Sequence, residues 1–110
     1  MATKKQIKAL NTALIKSKER SDAFREEDDY GTCNFDTPQL FLTGWSAEDV
    51  RLAFDQTGMR YEVQSVGNRL CVDIYGCASG QASRRTKMAE AIRDSLKEAG
   101  YDAYVYYQMD

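Results

Sequence analysis

From Gly76 to Lys87 the sequence runs Gly-Cys-Ala-Ser-Gly-Gln-Ala-Ser-Arg-Arg-Thr-Lys, a small-residue loop that enters a helix with a basic first turn. Helix N-termini expose unpaired N–H groups and favour negative charge, so cations there run against the usual preference. Ser79, Ser83, Arg84, Arg85 and Lys87 are therefore the local candidates for gripping a phosphate, a carboxylate or an acidic patch on a partner. Backbone N–H groups and an arginine fork would supply the grip. The span is not a P-loop, because Gly76 and Gly80 are four apart and Lys87 lies far downstream of both. The plain alternative is local salt bridging, with Lys87 spaced to pair with Glu90.

Catalytic chemistry has little to work with. The chain contains no histidine, which removes the commonest general base near neutral pH and the Ser/His and Cys/His arrangements. Cys33, Cys71 and Cys77 share no C-x-x-C spacing. Buried free thiols are expected of them, and neither a disulfide nor a structural zinc site has a warrant. The acids Glu26, Glu27, Asp28, Asp29 and Asp36 would gather Mg²⁺ only if their loop folded back on itself; solvated charge is the simpler expectation. No catalytic residue, metal or cofactor is assigned. An enzyme working through carboxylates, Lys or Tyr, or a small-ligand domain, stays open as a lesser alternative.

The elements that must carry these residues are legible from period and punctuation. Residues 3–27 read as a helix capped by Thr3, with Ile7, Leu10 and Leu14 along one stripe. Its second half has Phe24 as its only large apolar group, so it should project, fray, or pack through Ala23 and Phe24 alone. Residues 31–38 read as a polar loop ending in Pro38, and residues 39–42 as a short strand. Ser46 and Asp49 have capping-box spacing, Trp45 and Val50 have staple spacing, and Gly58 is placed to close that second helix. Strands over 61–65 and 70–75 flank Gly67-Asn68, a two-residue hairpin turn of type II′ or I′. A third helix runs from about Ser83 to Ala99 with Met88, Ile92 and Leu96 inward, and Gly100 ends it. Residues 102–107 make the last strand.

After the first helix the order is β-α-β-β-α-β. It matches the ferredoxin-like split βαβ arrangement, an α+β fold with two helices on one face of a four-stranded antiparallel sheet. The expected organisation is a charged N-terminal helix over residues 1–30, packed on or projecting from a single domain over residues 31–110. At 110 residues, 43% hydrophobic and 29% charged, the chain reads as a soluble globular domain. It has no apolar run of membrane-spanning length and no signal-like N-terminus, so a cytoplasmic location and no membrane partner are expected.

Alternation places Phe41, Glu62, Gln64, Cys71, Asp73, Tyr75, Tyr104 and Tyr106 on the sheet face away from those two helices. Phe41, Tyr75, Tyr104 and Tyr106 would form an aromatic patch there. Three readings compete for it. The N-terminal helix lies across it; or it is a protein interface, with a partner or a second copy; or it stacks single-stranded nucleic acid. The last rests on a resemblance to RNA-recognition domains in topology and aromatic placement, though their aromatic-rich glycine motifs are missing and Glu62 and Asp73 would repel phosphate.

The net charge of -2 hides a segregation along the chain. Lys4, Lys5, Lys8, Lys16, Lys18 and Arg20 lie on the first helix, and acids dominate residues 21–50. The function expected is a small non-catalytic binding or regulatory domain acting through protein–protein interaction. The alternative is nucleic-acid binding through the basic helix together with Arg84, Arg85 and Lys87, which predicts salt-sensitive affinity.

Overall fold

The computed structural model describes residues 1–24, 36–75 and 82–108. Their elements are α1 (Lys4–Asp22), β1 (Thr37–Thr43), α2 (Ala47–Phe54), β2 (Arg60–Val66), β3 (Arg69–Tyr75), α3 (Ala82–Glu98) and β4 (Asp102–Tyr106). The strands form one antiparallel sheet in the order β2-β3-β1-β4.

Local chemistry sets the ends of several elements. At the start of α1, the Thr3 hydroxyl accepts from the Gln6 N–H at 3.1 Å, and the Gln6 side chain accepts from the Thr3 N–H at 2.8 Å. Ser46 and Asp49 make the same reciprocal pair at the start of α2. These boxes occupy N–H groups that the first helical turn cannot bond internally. The end of α3 is a Schellman motif: Gly100 has φ +96°, its N–H bonds the Lys97 carbonyl, and the Tyr101 N–H bonds the Leu96 carbonyl. In the β2–β3 hairpin Gly67 has φ +64° while Asn68 stays on the negative side, which selects the type II′ turn over I′.

Three expectations needed correction. Gly58 has the expected left-handed φ of +73°, but α2 has already ended at Phe54, and the first left-handed residue after it is Gln56 at φ +62°. The reason lies in α1: the Asn11 side-chain amide donates to the Ala53 and Asp55 carbonyls, both at 2.9 Å, and caps α2 early. Pro38 belongs to β1 rather than to the preceding loop, opposite Val105 of β4. Among the described residues pairing with β3 starts at Gln39, so Pro38 stands at the end of that ladder, where a missing N–H is tolerated.

The third correction concerns α1, which ends at Asp22 rather than at residue 27. It packs in the helix layer, in contact with both α2 and α3, and does not lie across the opposite sheet face. Leu10 and Leu14 are fully buried in one core with Leu40, Leu42, Val50, Val72, Ile74, Ile92 and Leu96. Its second half packs as well, through Ser17 and Ser21, both fully buried. With Ala13 these serines make a small-residue row at four-residue spacing, which lets α3 approach closely. Their hydroxyls donate within the layer, Ser17 to the Leu14 carbonyl at 2.7 Å and Ser21 to the Met88 carbonyl of α3 at 3.1 Å.

Candidate functional site: the open face of the sheet

Period-2 alternation divides each strand between the core and the opposite face. Leu40, Leu42, Val72, Ile74 and Ala103 point into the core, so their neighbours Phe41, Cys71, Asp73, Tyr104 and Tyr106 take the other side. Register lines these up in rows across the sheet. One row runs Glu62, Asp73, Gln39, Tyr104; the next runs Gln64, Cys71, Phe41, Asp102. Among the described residues no element packs over this face.

The centre of the face is an aromatic and cationic cluster. Phe41 meets Tyr104 edge-on, with ring centroids 5.6 Å apart and planes at 75°. The Arg69 guanidinium lies 4.3 Å from the Phe41 centroid and reaches Asp102 at 3.3 Å. Stacking on the ring and pairing with the carboxylate hold the arginine flat against the sheet. Tyr104 and Tyr106 remain 50% and 52% exposed. A hydrogen bond to Asp102 raises the Tyr104 phenol above its ordinary pKa, so it stays a neutral donor.

Beside this cluster is a polar one. Asp73 accepts from the Gln39 amide at 2.9 Å and from the Cys71 thiol at 3.7 Å. Burial, then the Asp73 charge, pushes the Cys71 thiol up, which keeps it protonated and unreactive. Burial likewise raises Tyr75, with Asp73 and Glu62 adding to the shift. Tyr75 lines a cleft of about 460 Å³ with Arg60, Tyr61 and Glu62 at the β2 end of the sheet. Among the described residues no three His, Cys, Asp or Glu side chains converge as metal ligands.

The structure therefore brings together Phe41 and Tyr104, with Tyr106 two residues along on the same strand face, and sets Tyr75 in a separate cleft on the β2 side. Arg69 is the member that sequence reasoning missed. Its signal was present: it sits two residues before Cys71, so alternation puts it on the same face. What the sequence withheld was the cross-strand neighbour it would cover.

The basic candidates are dispersed. Lys4, Lys5, Lys8 and Lys16 are exposed on α1, whereas Lys18 pairs with Asp22 at 3.9 Å and Arg20 pairs with Glu98 of α3. Arg84 and Arg85 are half-buried and Lys87 is exposed. Ser79 and the Ser83 side chain lie outside what the structure describes, as do Cys33 and Cys77 and the acidic run 26–29. Two neighbours of this region are engaged. Thr86 donates to the buried carboxylate of Asp36 at 2.6 Å, and Asp36 also accepts the Gln108 N–H at 3.0 Å. Glu90, the expected partner of Lys87, accepts from the Tyr107 hydroxyl at 2.6 Å.

No described helix is long and apolar enough to cross a membrane. No protein-family model, no curated protein and no solved structure matches this chain.

Proposed function

We propose that this chain is a non-catalytic binding domain that engages another protein through the open face of its sheet. The fold we assign is the ferredoxin-like split βαβ sandwich with an added N-terminal helix. Its support is the β-α-β-β-α-β order after α1 together with the antiparallel strand order β2-β3-β1-β4. That fold hosts many functions, so the reading rests on the site.

One observation carries it. Tyr104, about half exposed, stands beside the Phe41–Arg69 pair, and Tyr106, equally exposed, lies further along the same strand opposite Thr37, on a face that no described element covers. Tyrosine and arginine are the side chains that protein interfaces favour, because each joins a large contact area to a polar tip. Arg69 already occupies a face of the Phe41 ring, where a base would otherwise stack. Glu62, Asp73 and Asp102 share the surface, which favours a protein over a polyphosphate.

The test is retrieval from native extract, read by mass spectrometry, with the wild type and a Tyr104→Ala/Tyr106→Ala variant. The expected result is a protein held by the wild type and lost from the variant, with unfolding midpoints alike. The same protein held by both, or retention that nuclease treatment abolishes, overturns the reading.

A further inference from the structure

We infer that a second surface, the groove between α1 and α2, docks an acidic amphipathic helix of a partner protein. The groove lies on the helix layer, away from the open sheet face, and does not depend on the reading above. It has a volume of about 430 Å³ and is lined by Lys4, Ile7, Lys8, Ile15, Leu52 and Asp55, with Asn11 and Gln56 between them.

Its construction follows from how α1 and α2 are joined. The Ala2 N–H bonds Asp49, Asn11 bonds the carbonyls of Ala53 and Asp55, and Lys18 lies against Gly58. Residue numbers rise together along both helices, so the two run in the same direction. Side-by-side helices leave a furrow, and here its apolar residues face outward: Ile15 is 38% exposed and Leu52 43%. Ile7 and Ile15 are two turns apart on α1, about 12 Å. That spacing suits a docked helix presenting apolar residues at i, i+4 and i+7.

Charge selects the occupant. Lys4 and Lys8 line one end, and the positive ends of both helix dipoles lie near them. Asp55 lies at the other end, beside the α2 C-terminus. A docked helix would set carboxylates against Lys4 and Lys8. A second copy of this chain would set the two lysines against each other if parallel, and against Asp55 alone if antiparallel, so a helix carrying several carboxylates is the better complement. A lipid surface is a poor fit too, because the apolar residues line a concavity.

The probes are two synthetic peptides of about four helical turns. Both carry leucine at i, i+4 and i+7; one has glutamate on the flanking positions, the other lysine. Each is titrated into the isotope-labelled full chain while backbone amide shifts are recorded. The glutamate peptide should shift the amides of Ile7, Ile15 and Leu52, and bind more weakly as salt rises from about 0.05 to about 0.5 M. Lys4→Glu with Lys8→Glu should weaken it roughly ten-fold, and Leu52→Glu should abolish it. Those side chains are exposed, so the variants should keep the wild-type circular dichroism. Tyr104→Ala/Tyr106→Ala should leave the binding unchanged, which separates failure here from failure of the sheet-face proposal. Equal binding of both peptides, shifts confined to the sheet face, no shift at about 1 mM peptide, or indifference to the lysine reversals overturns the proposal. So does a wild-type dimer that Leu52→Glu converts to monomer.

Discussion

Asn11 shows how a single side chain can decide the end of another element. Its amide satisfies two carbonyls at the end of α2 that the helix leaves without internal partners. Asn11→Ala should cost about 1–2 kcal/mol by urea denaturation; a change near zero would mean that water replaces the amide without loss. Asp49 does comparable work at the other end of α2, accepting from the Ala2 and Ser46 N–H groups at 2.9 and 3.0 Å. Those bonds hold its carboxyl below the ordinary aspartate range, the Ser46 bond contributing most. The folded-state pKa is thus lower than the unfolded one. The stabilisation is fully present above about pH 4 and declines as pH falls through the folded value. Asp49→Asn should therefore lower the urea midpoint at neutral pH and flatten its fall below about pH 4. A parallel offset at every pH would sink the linkage.

At the scale of elements, α1 is where sequence reasoning and structure diverge most. The stripe Ile7, Leu10, Leu14 was legible because large apolar side chains at helical spacing mark a buried face. The burial of Ser17 and Ser21 was not, because a serine row carries no hydrophobic signal and is read as solvent-facing unless a neighbouring helix is known to lie against it. Leu14→Ala should cost about 2–5 kcal/mol, since Leu14 is fully buried, and Ile15→Ala on the exposed side should stay within about 0.5 kcal/mol. Equal small effects would mean that α1 is loosely attached. The hairpin offers a second check. Gly67 holds φ +64° at the first turn position, so Gly67→Ala should destabilise by about 1 kcal/mol or more in thermal unfolding. Among the described residues no atom is in the way of a Cβ there, so the loss would report backbone strain.

On the scale of the whole molecule, α1 bridges α2 and α3, so the helix layer depends on the segment that comes first in the chain. Among the described residues the core is one contiguous cluster drawing on α1, α2 and α3 and on strands β1, β3 and β4. Such a core should melt as a unit. Trp45, packed against it at the start of α2, supplies a fluorescence probe independent of far-UV circular dichroism. The two should give the same urea midpoint. An earlier loss of helical signal, with tryptophan fluorescence unchanged, would show α1 leaving first.

The sequence by itself determined the elements, the N-caps of α1 and α2, the glycine that ends α3, the place of the hairpin turn and the division of each strand into two faces. All of these depend on residues within a few positions of one another, where spacing is geometry. Only the tertiary structure decided where α1 goes, where α2 stops, and that Arg69 lies over Phe41. Each of those is a contact between residues far apart in the chain: Asn11 with Ala53, Ser21 with Met88, Arg69 with Phe41. No local pattern encodes such a pairing, because several packings would satisfy the same periodicity. The choice among them is made by side-chain volume and hydrogen-bond partners once the layers close.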